Sequence, residues 1–168
     1  CAGGGKVLFL VPGLALLRQT VQKVDGYGGP PREVLLVGSD SRPLPPLATL
    51  VPVGGQTTAP AEVAAACARP GPLVVLSTYQ SSALLPLDAF ALTVFDETHR
   101  VCGGLQARPF NHVLLQHTAG HRLFMTATPN NTAAGINMRD QALFGGVAYK
   151  YSLQEAIDSA PPGATIYV

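Results

Sequence analysis

Two adjacent acids after an apolar run are the residues of this chain most able to do chemistry. The run Ala91–Phe95 leads directly into Asp96 and Glu97. Side chains alternate in direction along an extended backbone, so adjacent carboxylates can serve different groups. Hydrolysis of a nucleoside triphosphate needs a metal that neutralises phosphate charge and a group that orients the attacking water. We therefore assign Asp96 to Mg²⁺, through a coordinated water, and Glu97 to the attacking water. The alternative is an acidic pair that simply begins a loop.

A second apolar run ends in small hydroxylated residues. Leu123–Met125 is followed by Thr126, Ala127, Thr128 and a proline. Open parallel sheets place their active sites beyond the carboxyl ends of the strands. We therefore expect the acids and the threonines to meet at one edge of a sheet.

The remaining patterns predict the elements that would position these residues. Short runs of β-forming residues alternate with helical spacing of apolar residues, which predicts an α/β fold with a parallel sheet wrapped by helices in three layers. A Pro-rich stretch at 41–60 is predicted to be an irregular surface excursion. A capping box of Ser152 and Glu155 predicts one helix start. Beyond the two strands above, the predicted strands are 7–11, 33–37 and 73–76, and the predicted helices are 14–24, 61–69, 111–121 and 153–159.

Composition limits the functional classes. The 168 residues are 47% apolar and only 12% charged, which indicates one domain with strands buried on both faces. The net charge of +1 gives no bulk electrostatic argument for nucleic acid. The chain has three widely spaced cysteines, Cys1, Cys67 and Cys102. Their odd number and spacing argue against a disulfide scaffold. No apolar stretch has the length of a membrane span and no signal peptide is evident, so we expect an intracellular location, cytoplasmic or nuclear.

Four segments together resemble a known family. Asp96–His99 resembles motif II of the superfamily 2 helicases and translocases in its D-E-x-H form, and Thr126–Thr128 resembles motif III. Val11–Thr20 is similar to motif Ia, and Ser77–Gln80 is similar to an S-T-Y-Q segment of the DNA-acting branch. The resemblance covers nearly the whole chain and is closest to the helicase domain shared with type III restriction subunits.

The resemblance implies a RecA-like motor domain that uses ATP and Mg²⁺. It implies that His99 bonds the hydroxyls of Thr126 and Thr128 and couples hydrolysis to domain movement. It implies DNA, favoured over RNA, and a second RecA-like domain in the same parent chain as partners. Residues 1–129 would form part of the ATP-binding domain, and 130–168 would lead toward the second domain. The implied nucleic-acid contacts are Pro12, Gln19, Thr20, Ser77, Thr78, Tyr79 and Gln80.

The chain departs from the family pattern in its phosphate loop. No G-x-x-x-x-G-K-[ST] motif is present. Gly3–Lys6 resembles its last residues, but Val7 replaces the hydroxylated residue and a strand follows where a helix belongs. We expect the phosphate loop upstream, and an exposed apolar sheet edge where its strand should pair. Thr98 stands where Ala is commoner.

Three other interpretations remain open. The first is a non-hydrolysing module that binds DNA or a protein partner, suggested by the missing loop. The second is a metal-dependent hydrolase that uses the two acids and nearby histidines. The third is a structural zinc site, although neither C-x-x-C nor H-E-x-x-H is present and buried thiols are the simpler reading of the cysteines. The zinc candidates are His99, Cys102, His112, His117 and His121.

Overall fold

The chain forms a parallel sheet with helices on both faces. The computed structural model describes residues 5–40, 42–103, 111–116, 120–129 and 134–159. The strands are β1 (Lys6–Val11), β2 (Arg32–Val37), β3 (Leu50–Pro52), β4 (Leu73–Thr78), β5 (Phe90–Phe95) and β6 (His121–Phe124). The α-helices are α1 (Leu14–Gly26), α2 (Pro60–Ala68), α3 (Asn111–Gln116), α4 (Gln141–Phe144) and α5 (Leu153–Ser159), and 3₁₀ helices cover Tyr79–Leu84, Leu87–Ala89 and Thr98–Val101.

All six strands run in the same direction, in the order β3-β2-β4-β1-β5-β6. The α/β class and the parallel sheet predicted from the sequence are confirmed. Because the strands are parallel, the carboxyl ends of β1, β4, β5 and β6 share one edge. This edge, the carboxyl edge, receives the segments that follow each strand.

Alternating side chains of the central strands feed two separate cores. On one face, Leu36 and Val74 pack with Leu17 and Val21 of α1. On the other face, the core contains Val75 of β4 and residues of α2 and α3. The sheet is therefore the middle of three layers, and burial on both faces explains why its strands read as unbroken apolar runs. The second core includes Leu8, Leu10, Leu35, Val63, Cys67, Val113 and Leu114.

The sequence did not predict β3. It lies inside the Pro-rich stretch, has three residues, and pairs with β2 at the edge of the sheet. The carboxylate of Asp25 holds the backbone that leads into β3. It accepts hydrogen bonds from the backbone N–H groups of Ala48, Thr49 and Leu50. These bonds lower the pKa of Asp25 to about 2. A strand this short has no readable alternation, and a side chain distant in sequence fixes it.

The predicted end of the third helix, at residue 121, was wrong. In the described residues, α3 ends at Gln116, and His121 begins β6. Gly120, with φ of 76°, lies against the backbone of Phe90 and directs the chain into β6. His117 lies outside the described residues. The predicted helical i,i+4 relation between His117 and His121 is therefore absent, because His121 belongs to a strand.

The capping box at α5 is confirmed. The backbone N–H of Glu155 donates to the Ser152 hydroxyl at 3.2 Å, and the Ser152 N–H donates to the Glu155 carboxylate at 2.6 Å. These two bonds satisfy donors that a helix start leaves without intrahelical partners. Within the described part of the chain, no helix is both long and apolar enough to cross a membrane.

Candidate nucleotide-hydrolysis and nucleic-acid site

The acid pair lies at the carboxyl edge, directly after the buried strand β5. The Asp96 N–H donates to the carbonyl of Leu10 in β1 at 2.9 Å, so the acid is still tied to the sheet. Its Oδ1 accepts the N–H of Glu97 at 3.0 Å. Both acids are partly exposed, so their carboxylates can be reached by a ligand.

Glu97 has a left-handed backbone conformation, with φ 51° and ψ 48°. Among the described residues, Glu97 is the one non-glycine residue that has a positive φ. Such a conformation costs on the order of 1–3 kcal/mol and persists where surrounding contacts impose it. The contacts here include the Thr98 N–H, which donates to the carbonyl of Met125 at 2.9 Å, and the Arg100 N–H, which donates to the carbonyl of Glu97 at 2.9 Å. The strain turns the chain sharply after β5 and sets the direction of the Glu97 side chain.

His99 joins the acid loop to the segment after β6. Its Nδ1 lies 2.9 Å from Oγ1 of Thr126 and 3.2 Å from Oγ1 of Thr128. The same nitrogen lies 3.3 Å from Oε2 of Glu97. Both contacts to the threonines that the resemblance implied are therefore present in the structure. Glu97, His99 and Thr126 form a continuous polar chain across the carboxyl ends of β5 and β6.

Thr98 stabilises the backbone that carries these polar side chains. The sequence did not reveal this contribution. Thr98 is fully buried, and its hydroxyl donates to the carbonyl of Phe95 at 2.7 Å and accepts the N–H of Met125 at 3.2 Å. The hydroxyl therefore bonds the end of β5 to the end of β6. An Ala at this position would lack both bonds.

The chemistry of Asp96 fits a role toward Mg²⁺. Carboxylate oxygens are the ligands that Mg²⁺ prefers, and nucleotide sites commonly supply one or two carboxylates, with phosphates and waters completing the shell. No group of three or more His, Cys, Asp or Glu side chains that could hold a metal occurs among the described residues. This gives no support to the zinc alternative, although His117 and the side chain of His112 are not described. Cys67 and Cys102 are buried, as the simpler interpretation predicted.

Lys6 lies far from the acids. It is the first residue of β1, at the amino end, and the acids lie at the carboxyl edge. The first and last residues of this six-residue strand are about 17 Å apart, at about 3.3 Å per residue. Of the segment Gly3–Lys6, Gly3 and Gly4 lie outside the described residues. Lys6 continues into a strand, as the sequence indicated, and a phosphate-loop lysine begins a helix.

The residues predicted to contact nucleic acid surround the carboxyl edge but differ in accessibility. Gln19 and Gln80 are exposed, and Pro12 and Thr20 are partly exposed. Ser77, Thr78 and Tyr79 are buried, with exposed fractions of 0%, 3% and 0%. The helix α1 begins after Gly13 without a side-chain cap, so its first N–H groups lie beside Pro12 at this edge.

The buried hydroxyls are occupied within the protein. The Ser77 hydroxyl donates to the carbonyl of Thr78, and the Thr78 hydroxyl accepts the N–H of Ser81 at 3.3 Å. The Tyr79 hydroxyl donates to the carbonyl of Asp96 at 2.8 Å. In this conformation the three side chains shape the 3₁₀ helix, and contact with a ligand is available to the partly exposed Ser81 and to Gln80. A four-residue sequence motif does not indicate which of its side chains are buried.

Arg18 organises the same edge and was also missed. It donates to the carbonyls of Arg42 and Pro43, at 3.1 and 2.6 Å, and lies 3.6 Å from the Asp40 carboxylate. Asp40 also pairs with Arg42 at 2.7 Å, and the Arg42 side chain holds the pKa of that carboxyl well below its usual range. The charges of both arginines are thus shared with Asp40, and α1 is tied to the loop after β2.

Comparison with known proteins agrees with this geometry. The sequence model of the family "Type III restriction enzyme, res subunit" matches residues 2–131. The chain belongs to this family. Its fold is the RecA-like domain of superfamily 2 helicases, as the four motifs implied.

The curated relatives are viral. The chain is 47% identical over 155 residues to "Probable helicase A859L" of African swine fever virus (strain Badajoz 1971 Vero-adapted), and 46% identical to that of the isolate Pig/Kenya/KEN-50/1950. The matches include 92% of this chain but only 18% of the relatives, so the chain spans less than a fifth of their length.

Two solved structures share the fold. One is a nuclease-deletion mutant of the Type ISP restriction-modification enzyme LlaGI in complex with a DNA substrate mimic, with a TM-score of 0.65 and 24% identity. The match includes 93% of this chain and 16% of that one. The other is the ATP-dependent Type ISP enzyme LlaBIII bound to DNA, with a TM-score of 0.65 and 22% identity over 93% of this chain and 12% of that one. At these identities the likeness establishes the fold alone.

Proposed function

We propose that this chain is the first motor domain of a nucleic-acid-dependent ATPase of the helicase or translocase type. The observation that carries the proposal is the polar chain at the carboxyl edge. His99 Nδ1 lies 3.3 Å from Glu97 and 2.9 Å from Thr126, beside the partly exposed Asp96. Family membership supports ATP as the nucleotide. The domain division at residue 129, and a second motor domain in the parent chain, belong to the same proposal.

Hydrolysis would proceed by in-line attack of water on the γ-phosphorus of ATP. Glu97 orients the water and accepts its proton as the new oxygen–phosphorus bond forms. The bond from the γ-phosphorus to the bridging oxygen breaks, and the electron pair leaves with ADP. Asp96 would hold Mg²⁺ through water, and the ion when bound neutralises phosphate charge. Through its contacts with Glu97, Thr126 and Thr128, His99 would couple hydrolysis to movement of the segment after β6.

DNA is the proposed partner at the exposed part of the same edge. Gln19, Gln80, Thr20 and the uncapped start of α1 beside Pro12 offer side-chain amides, a hydroxyl and helix N–H groups. Such groups bind phosphates without requiring excess positive charge. This composition suits a chain whose net charge is +1. That the two structures of similar fold were obtained with DNA or a DNA mimic supports DNA over RNA.

The test is Glu97→Gln in the full-length polypeptide that contains this chain. The amide cannot accept the proton, so we expect ATP turnover to fall by roughly 10²- to 10⁴-fold while ATP binding is retained. The matched control is Glu62→Gln, because Glu62 is exposed on α2 and has no place in the proposed site, so its variant should turn over normally. Undiminished turnover in the Glu97 variant would refute the role of this residue.

A second candidate is a module of the same fold that binds DNA or a protein partner without hydrolysis. The observation in its favour is that β1 starts at Lys6, so that the described residues contain no phosphate loop. DNA affinity that does not respond to nucleotide, together with no ATP turnover by the full-length polypeptide, would favour this candidate.

A further inference from the structure

Tyr79 carries a buried hydroxyl that bridges two functional segments. The side chain is 0% exposed, and its ring lies 6.5 Å from the ring of Phe95, between ring centres. Its hydroxyl donates to the carbonyl of Asp96 at 2.8 Å, across 17 residues of sequence. Burial, followed by the charges of Asp96 and Glu97, raises the pKa of Tyr79 far above its usual value. Burial therefore favours the neutral phenol, which donates the hydrogen bond.

The acceptor of this bond belongs to the peptide group that joins the two acids. The oxygen of that group, the carbonyl of Asp96, accepts the Tyr79 hydroxyl, and its N–H, that of Glu97, donates to Asp96 Oδ1 at 3.0 Å. Both polar ends of the group are thus held. The left-handed conformation of Glu97 starts at this peptide, so its orientation sets the direction in which the Glu97 carboxylate leaves the backbone.

The other side of the bridge is the segment proposed to meet DNA. Tyr79 is the first residue of the 3₁₀ helix Tyr79–Leu84, which Thr78 caps by accepting the Ser81 N–H. Gln80 is exposed and Ser81 partly exposed on the same helix. A displacement of this helix therefore moves the donor that holds the Asp96 carbonyl.

We propose that Tyr79 is a positioning residue, whose hydroxyl fixes the Asp96–Glu97 peptide and ties the acid loop to the 3₁₀ helix that faces DNA. The inference rests on the proposed ATPase function. It replaces the expectation of a direct nucleic-acid contact by Tyr79, since a fully buried ring cannot stack on a base. The residue acts through Glu97 and does not itself touch the reacting atoms.

The experiment is Tyr79→Phe in the full-length polypeptide, assayed for ATP hydrolysis with saturating duplex DNA. The substitution removes one oxygen atom and keeps the ring packed against Phe95. We expect kcat to fall by roughly 10- to 100-fold, since a small misplacement of a catalytic group has an effect of that order. The KM for ATP, the amount of ATP bound per chain at saturation and the Kd for DNA should each stay within about twofold of the wild type. The control is Tyr27→Phe, because Tyr27 is 87% exposed.

Each alternative outcome overturns the inference in a recognisable way. An unchanged kcat would show that the hydroxyl does not position Glu97. A loss of kcat matched by an equal loss of bound ATP would show that the hydroxyl stabilises the fold and does not position Glu97. A weakened Kd for DNA with normal kcat would indicate a binding role. If the wild-type polypeptide hydrolyses no ATP, the proposed function fails, and if ATP is hydrolysed normally by Glu97→Gln, the role of Glu97 fails. If that variant is inactive and Tyr79→Phe is normal, only the inference about Tyr79 fails.

Discussion

Replacing Thr98 by Val should loosen the contact between the acid loop and β6. The Thr98 hydroxyl is buried and bonds the Phe95 carbonyl at 2.7 Å and the Met125 N–H at 3.2 Å. The Met125 N–H keeps a second acceptor, the Phe95 carbonyl at 2.9 Å, so one bond is lost outright and one is shared. At about 0.5–1.5 kcal/mol for a hydrogen bond, we expect the free energy of unfolding to fall by about 1–2 kcal/mol.

The assay is urea unfolding of the 168-residue chain, followed by far-ultraviolet circular dichroism. The midpoint should fall with an unchanged slope, and a thermal scan should show Tm lowered by about 2–8 °C for a domain of this size. The control is Thr58→Val at an exposed position, which should stay within about 0.5 kcal/mol of the wild type. A Thr98→Val chain as stable as the control would refute the assignment of these two bonds as stabilising.

Three further substitutions test separate parts of the account. The pKa of Asp25 is lowered from 3.8 to about 2 on folding, so its contribution to stability is complete above pH 3.8 and is lost as the pH falls toward 2. Asp25→Asn should remove this part of the acid dependence of the urea midpoint. Gly120→Ala would place a Cβ 2.3 Å from the Phe90 carbonyl at a φ of 76°, so the free energy of unfolding should fall by more than about 1 kcal/mol in the same assay. His99→Ala should lower DNA stimulation of ATP hydrolysis by roughly tenfold with ATP affinity retained, and equal stimulation would contradict its coupling role.

The sequence predicted the elements whose signal is local and contiguous. The apolar run before Asp96 forms the largely buried strand β5, because burial on both faces requires unbroken apolar residues. The apolar run before Thr126 forms β6, which is partly exposed. These two strands end at the same edge of the sheet because they are parallel. The contact of His99 with Thr126 could be expected only through the family resemblance, because it joins residues 27 apart in sequence.

Features fixed by contacts distant in sequence could not be predicted in this way. The short strand β3 depends on the Asp25 carboxylate, which lies 25 residues before Leu50. The left-handed Glu97 depends on a network that no local pattern encodes, since glycine is the residue type that indicates positive φ. The burial of Tyr79 could not be predicted either, because a tyrosine beside polar residues looks the same in sequence whether its ring faces a ligand or the core.

The outer side of β6 agrees with the expectation of an exposed apolar side of the sheet. The strand β6 is the last in the sheet order, and Leu123 and Met125 at this edge are 44% and 40% exposed. Exposed apolar side chains at the last strand of a parallel sheet are unusual in α/β proteins. That the strand before a phosphate loop pairs here stays a prediction.

The most direct test of the central claim is the rate of ATP hydrolysis by the full-length polypeptide, measured with and without DNA by release of inorganic phosphate. We predict Mg²⁺-dependent hydrolysis that rises when DNA is added and that Glu97→Gln abolishes. Absence of hydrolysis under both conditions, in a polypeptide that still binds DNA, would contradict a motor function and would leave the non-hydrolysing binding module as the function of this fold.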